Sequence, residues 1–172
     1  VFDLWAARWR RREAHGDMIV VRYADDIVVG FQHEADARRF QDELTARAAQ
    51  FGLELNADKT RLLRFGKLAT RQRKERGEAK PETFDFLGFT HICGKSRKGR
   101  FVLYRHTSKK RLRRRVRQVR DSLMRRRHLP VPEQGLWLRQ VVTGYFAYHA
   151  VPTNAETLTV FRNEITRAWL HA

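Results

Sequence analysis

The sequence predicts an α+β fold, in which a strand-rich front part is followed by a helical back part. Short β-branched runs separated by turns lie between residues 18 and 104, whereas residues 108–172 carry apolar stripes at helical spacing. The charge changes along the same line: Asp17–Asp58 has nine acidic and four basic residues, while Ser108–Arg127 has one acidic and eleven basic residues. We therefore predict one domain over residues 1–107 and a second over residues 108–172.

The front part is predicted to begin with a helix, a hairpin and a second helix. Phe2–Arg12 is expected to be helical and to end before Gly16. Met18–Tyr23 and Ile27–Phe31 are β-branched runs separated by only three residues, a spacing typical of a hairpin. Glu34–Phe51 carries apolar residues on one helical face and is followed by a glycine that closes the helix.

Two further pairs of strands are predicted in the front part. Leu53–Asn56 and Thr60–Phe65 flank a turn, and the basic segment Lys67–Lys80 is expected to be a loop. Phe84–Phe89 and Phe101–Tyr104 are predicted to form a second hairpin with a basic tip.

The back part is predicted to contain three helices. Ser108–Arg127 has a narrow apolar stripe surrounded by arginines, and Glu133–His149 is apolar on two faces. The third helix is expected to start at Thr153–Glu156, whose sequence has the pattern of a capping box.

The composition points to a polyanionic partner. The chain has 172 residues with 36 Lys and Arg against 19 Asp and Glu, which gives a formal net charge of +17. Its single cysteine, Cys93, excludes an internal disulfide framework. No apolar run approaches the roughly 20 residues of a membrane span, so no membrane partner is predicted.

Two adjacent carboxylates, Asp25 and Asp26, fall at the predicted tip of the first hairpin. Aspartate is common in turns because it bonds its own backbone, and the dipeptide alone favours that ordinary role. Crowded carboxylates are, however, stabilised by Mg²⁺, which accepts one or two of them together with phosphate oxygens and water. Two such ions can activate a 3′-hydroxyl and hold a leaving pyrophosphate.

The sequence around this pair resembles a known family. Tyr23-Ala-Asp-Asp26 is similar to the YxDD box of reverse transcriptases, and Gly52–Thr60 to the block that follows it, a strand with a lysine. Phe84–Phe89 is similar to the primer-grip block, and Gly144–Asn154 to the thumb, or maturase X domain. These motifs occur in the family's order over nearly the whole chain, which therefore resembles group II intron reverse transcriptase/maturases.

The resemblance implies a polymerase palm over residues 1–107 and a helical thumb or X domain over residues 108–172. It implies RNA-directed DNA synthesis with Mg²⁺, by two-metal phosphoryl transfer, and assistance to intron splicing. Asp25 would be a direct metal ligand and Asp26 its partner beside the primer end. Lys59 would face the triphosphate, although it is equally well explained as a solvated lysine in a turn.

Four further residues would contact the substrates according to the resemblance. Tyr23 and Ala24 would line the floor under nucleotide and primer, while Leu87 and Gly88 would position the primer strand. Tyr23 can alternatively be an ordinary packed strand aromatic, and Gly88 a bulge in its hairpin.

The basic helix of the back part is predicted to bind RNA through phosphate contacts, which give affinity with little sequence preference. The implied partners are group II intron RNA, an RNA template with a DNA primer, and deoxynucleoside triphosphates, in a bacterial cytoplasmic ribonucleoprotein. The predicted RNA-binding residues are Lys109, Lys110, Arg111, Arg113, Arg114, Arg115, Arg117 and Arg120.

The chain departs from the family in one respect. Polymerases of this type use three carboxylates, and the third would lie on a strand preceding Val1. Asp3, Asp58 and Asp85 are the nearby alternatives, but none lies in the matching motif. We expect that this chain alone does not polymerise DNA, whereas the parent protein does. The rival hypothesis is a non-catalytic remnant that binds structured intron RNA.

Overall fold

The computed structural model describes residues 1–172. Six helices and five strands form two compact units, Val1–Arg64 and Phe65–Ala172. Helices mixed with small antiparallel sheets confirm the α+β class. The compact units divide well before residue 107, because the sheet of residues 84–107 belongs to the same unit as the helices after it. The assignment of residues 1–107 and 108–172 to separate functional domains stays a prediction. No helix is both long enough and apolar enough to cross a membrane.

The first unit is a hairpin covered on one face by two helices. The strands pair antiparallel, with Met18 opposite Phe31 and Tyr23 opposite Asp26. All four predicted elements are confirmed, with the second strand starting one residue earlier and the second helix ending one residue earlier than expected. The elements are α1 (Phe2–Arg12), β1 (Met18–Tyr23), β2 (Asp26–Phe31) and α2 (Glu34–Gln50).

Strand alternation decides which face of the hairpin is covered. Met18 is buried with Ala6, Trp9 and Phe40 in the core of the first unit, and the rings of Trp9 and Phe40 meet edge to face with centroids 5.1 Å apart. Successive strand residues point to opposite faces. Tyr23, on the other face, is therefore 67% exposed.

Two strand predictions after α2 are wrong. Leu53–Asn56 and Thr60–Phe65 contain no regular strand, and a turn between them is held by the Asn56 carbonyl, which accepts from the amides of Lys59 and Thr60 at 3.1 and 2.9 Å. A strand needs a partner for its backbone groups. Neither of the two segments has one.

The loop prediction for Lys67–Lys80 is also wrong, because it contains a helix, α3 (Lys67–Glu75). Lysine, arginine and glutamine are good helix formers, so this polar segment has the propensity despite its weak apolar pattern. Ala69 is the one residue that α3 buries, and Gly66, with φ of 101°, precedes the helix.

The second unit contains a three-stranded sheet in the order β3-β4-β5, formed by β3 (Phe84–Phe86), β4 (Phe89–Lys95) and β5 (Phe101–Thr107). The prediction of a single hairpin is therefore corrected. Phe84–Phe89 is broken by a tight turn, and the residues after that turn form a central strand that pairs on both sides.

The three predicted helices of the back part are confirmed as α4 (Lys109–Arg126), α5 (Val131–His149) and α6 (Ala155–Leu170). Val119 and Leu123 of the α4 stripe pack with Leu138 of α5 and with Phe161 and Ile165 of α6. The remaining core residues of this cluster are Val116 and Tyr145.

The capping box predicted at Thr153 is wrong. The residue before α6 is Asn154, and neither polar side chain caps the helix. Both bind the sheet instead. The Asn154 oxygen accepts from the Thr107 amide at 2.8 Å, and the Thr153 hydroxyl accepts from the Arg105 amide at 2.9 Å. The Asn154 amide also donates to the Thr107 hydroxyl and the His149 carbonyl, both at 2.8 Å.

Candidate active site and basic surface

The tip of the first hairpin is a two-residue turn. Tyr23 and Asp26 are the last pair of the ladder, so Ala24 and Asp25 alone form the connection. Ala24 has φ of 52°, whereas Asp25 has no positive φ. A turn with only its first central residue in this region favours glycine there. An alanine costs about 1–2 kcal/mol of backbone strain, and strain of this kind is found at functional sites.

The two carboxylates at this tip are free. Asp25 and Asp26 are both exposed and form no ion pair or side-chain hydrogen bond. Asp26 is the first residue of β2, whereas Asp25 belongs to the turn. Neither carboxylate accepts a side-chain hydrogen bond, so their oxygens are available as metal ligands. Such a pair suits Mg²⁺, which fills its other coordination positions with water and phosphate oxygens.

Arg22, next to the turn, does not neutralise this pair. It binds Asp3 through two bonds, from Nε at 2.8 Å and from Nη2 at 2.7 Å. Its Nη1 donates to the Ala24 carbonyl at 3.1 Å, which holds the turn. The hydrogen bond from Arg22 lowers the pKa of the Asp3 carboxyl below its ordinary value. Asp3 is therefore already paired with a cation.

The other candidates for a third carboxylate are elsewhere. Asp85 of β3 accepts from the hydroxyls of Thr90 at 2.5 Å and Ser108 at 3.0 Å. Asp58 is exposed in the loop after α2. No three His, Cys, Asp or Glu side chains are grouped so as to hold a metal ion.

Tyr23 and Lys59 are both open to solvent. The Tyr23 ring lies outside the core of the first unit, so the alternative of an ordinary packed aromatic does not hold. Lys59 lies in the turn held by Asn56, and its ammonium group has no ion pair. No hydrogen bond or ion pair joins Lys59 to the hairpin tip.

The predicted primer-positioning residues form the turn between β3 and β4. Leu87 and Gly88 have φ of 49° and 84°, as both central residues of a type I′ turn do, so Gly88 is a turn residue and not a bulge. Tyr148 donates to the Leu87 carbonyl at 2.8 Å. The Ser108 amide donates to the Gly88 carbonyl at 2.9 Å.

Arg111 covers this turn. A Cβ on Gly88 would lie 2.7 Å from Arg111 Nη1, so a larger residue at this position would displace the guanidinium from the turn. Arg111 was predicted to bind RNA and Gly88 to position the primer, and the structure brings the two together. The sequence did not predict the hydrogen bond of Tyr148 to this turn, because its helical spacing favoured packing in the core. Its ring instead stacks on Phe89 and is half exposed.

The predicted RNA-binding surface of α4 is largely unpaired. Arg120 bonds Glu164 of α6 at 2.8 Å, and none of the other seven predicted residues has an ion pair. Arg115 is half-buried, and the rest are exposed. The charges on this helix are therefore available to an anion from outside the protein.

The comparison with known families fits this geometry. The sequence profile described as reverse transcriptase (RNA-dependent DNA polymerase) matches residues 1–91, more than half of the chain. The matched range includes the carboxylate pair, Lys59 and the Leu87–Gly88 turn. No curated protein and no solved structure gives a significant match. The chain therefore belongs to the reverse transcriptase (RNA-dependent DNA polymerase) family.

Proposed function

We propose that the chain carries part of the active site and the helical thumb of a group II intron reverse transcriptase/maturase. The observation that carries this proposal is the free carboxylate pair, Asp25 and Asp26, beside a strained Ala24 in a range that matches the family. The intron-specific part of the proposal rests on the similarity of Gly144–Asn154 to the maturase X domain.

Each residue of the hairpin has a distinct part in the proposed reaction. Asp25 and Asp26 would hold Mg²⁺, which would favour the ionised 3′-hydroxyl of the primer and offset the charge on the pyrophosphate. Tyr23 presents an exposed ring as a floor for the nucleotide, and Ala24, which carries only a methyl group, lets the primer end approach the turn. Lys59 brings a free ammonium toward the triphosphate and donates a proton to the leaving pyrophosphate.

The second unit holds the nucleic acid in this proposal. Leu87 and Gly88 place a backbone turn against the primer, with Arg111 above Gly88 as the adjacent cation. The unpaired residues of α4 contact phosphates of the template–primer duplex and of folded intron RNA, whose splicing the protein assists by stabilising the RNA fold. The proposed setting is a bacterial cytoplasmic ribonucleoprotein.

A non-catalytic RNA-binding remnant is the second candidate. It is favoured by the absence of a third metal-ligating side chain beside the pair. The two hypotheses differ in the role of Asp25. Under the first, Asp25 is essential for DNA synthesis; under the second, the chain only binds RNA and does not need Asp25.

The test combines primer extension with mapping of the metal site. Wild type, Asp25→Ala and the control Asp42→Ala, an exposed carboxylate on α2, are given an RNA template, DNA primer, deoxynucleotides and Mg²⁺. In parallel, Fe²⁺ replaces Mg²⁺ and generates radicals that cleave the nearby backbone. We expect cleavage close to residues 23–26 that Asp25→Ala abolishes and Asp42→Ala retains. Any extension should follow the same pattern, and RNA affinity should be equal in all three proteins. Equal cleavage in the two variants would refute the metal site.

A further inference from the structure

An open groove of about 440 Å³ runs between α4 and α5 in the second unit. Its volume lies within the range of roughly 300–1,000 Å³ typical of sites for small ligands. The groove is separate from the Leu87–Gly88 turn, because none of its lining residues belongs to the sheet. The lining residues are Arg115, Gln118, Val119, Asp121, Ser122 and Arg125 of α4, with Trp137 and Val141 of α5.

The groove is lined by one aromatic ring, that of Trp137, and by polar groups of α4. Arg126 does not line the groove but lies over the Trp137 ring, with Cζ 4.6 Å from the ring centroid. Arg125 donates to the Ser122 hydroxyl at 3.3 Å. Arg115 is half-buried and has no ion pair. Asp121 is the one acidic side chain of the lining, so Arg115 and Arg125 still leave the groove a net positive charge, which favours an anionic occupant.

We propose that this groove binds one unpaired nucleotide of a single-stranded RNA segment. The base packs against the part of the Trp137 ring that lines the groove, and the phosphate lies between Arg115 and Arg125. Aromatic rings next to a basic groove are the usual means of binding unpaired bases. The inference rests on the proposed function for the identity of RNA as the partner.

The size and charge of the groove decide between occupants. In an A-form duplex the bases are paired and stacked inside the helix, so none can enter the groove, whereas an unpaired nucleotide can. The positive excess of α4, whose only acidic residue is Asp121 of the groove lining, favours a polyanion over an apolar or basic protein helix. The groove therefore distinguishes unpaired from paired RNA, while the outer face of α4 does not.

Two charge-matched variants test this. Ser122→Glu places a carboxylate inside the groove, and Met124→Glu places the same charge on the far side of α4, where Met124 is 49% exposed. Affinities are measured by fluorescence anisotropy for an unstructured 12-nucleotide RNA and for an RNA duplex, without Mg²⁺. We expect Ser122→Glu to bind the single strand about tenfold more weakly than Met124→Glu does. The two variants should bind the duplex equally.

A second pair separates stacking from folding. Trp137→Phe keeps an aromatic ring and should retain most of the single-strand affinity, whereas Trp137→Leu should lose about tenfold, with both variants checked for unchanged circular dichroism. Equal single-strand affinities for Ser122→Glu and Met124→Glu would overturn the proposal. A change in oligomeric state with unchanged RNA affinity would also overturn it, in favour of a protein interface. Because the assay omits metal and nucleotides, these results are independent of the Asp25 test.

Discussion

Asn154 joins three parts of the second unit, and its removal should be among the most damaging single changes in the chain. The side chain is fully buried and makes three hydrogen bonds, two to Thr107 at the end of β5 and one to His149 at the end of α5. Asn154→Ala removes all three. The hydroxyl of Thr107 can turn elsewhere, but its amide and the His149 carbonyl cannot.

The size of the effect follows from those two groups. A buried donor or acceptor left without a partner costs about 1–3 kcal/mol, with the carbonyl at the lower end because it is only partly buried. We expect Asn154→Ala to lower the free energy of unfolding by about 2–4 kcal/mol. That is a large share of the roughly 5–15 kcal/mol by which a typical domain is stable.

Urea unfolding followed by circular dichroism measures this loss. The matched control is Asn163→Ala, the same chemical change at an exposed position of α6 without a side-chain bond. We expect the control to change stability by less than about 0.5 kcal/mol, since alanine is the better helix former. If both variants lost the same free energy, the buried hydrogen bonds would not be what joins the helices to the sheet.

Three further perturbations test separate parts of the structure. Ala24→Gly relieves the positive φ at the hairpin tip and should raise stability by up to about 1 kcal/mol in thermal unfolding; a loss of stability would contradict the strain. Tyr148→Phe removes the hydrogen bond to the Leu87 carbonyl. It should weaken primer–template binding a few-fold with little change in melting temperature. An unchanged Kd would refute the proposed role of Tyr148 in positioning the turn. The hydrogen bond from His15 lowers the pKa of buried Asp36, so this carboxylate stabilises the fold above its ordinary pKa of 3.8 and less so as the pH falls below it. Stability of Asp36→Asn should therefore fall less steeply than that of wild type in acid titrations below pH 3.8, and parallel curves would exclude the ion pair.

The elements that the sequence predicted well are those with local signals. β1 and its turn combine β-branched residues with a two-residue connection, and α4 has an uninterrupted apolar stripe, so each was placed to within about a residue. Leu53–Asn56 has the same strand propensity but no partner strand, and pairing is a property of the whole fold. The Leu87–Gly88 turn was missed because leucine disfavours positive φ, and the contacts of Tyr148 and Ser108 hold it there.

In the candidate site, too, only the features that are local in sequence could be predicted. The carboxylate pair is contiguous in sequence, and although the dipeptide alone favours ordinary turn chemistry, the motifs around it identified it as a candidate site. The contacts around the site join residues distant in sequence: Asp3 binds Arg22 nineteen residues on, and Arg111 covers Gly88. Pattern analysis along the chain does not reveal such pairs, since nothing local marks which arginine meets which carboxylate.

The charge pattern of the first unit gives the hairpin its chemistry. All four arginines between residues 17 and 58 have side-chain partners other than Asp25 and Asp26: they bond Asp3, Glu34 and Asp36 or lie over the rings of Trp5 and Phe51. None of these arginines therefore pairs with the Asp25 or Asp26 carboxylate. In water this costs little, because exposed charges are screened within about 10 Å. When a triphosphate and a nucleic acid backbone approach, the same pair repels them unless a cation lies between. Under the proposed function, a divalent ion would therefore be needed only when substrate is present, and binding of metal and of nucleotide should each be strengthened by the other.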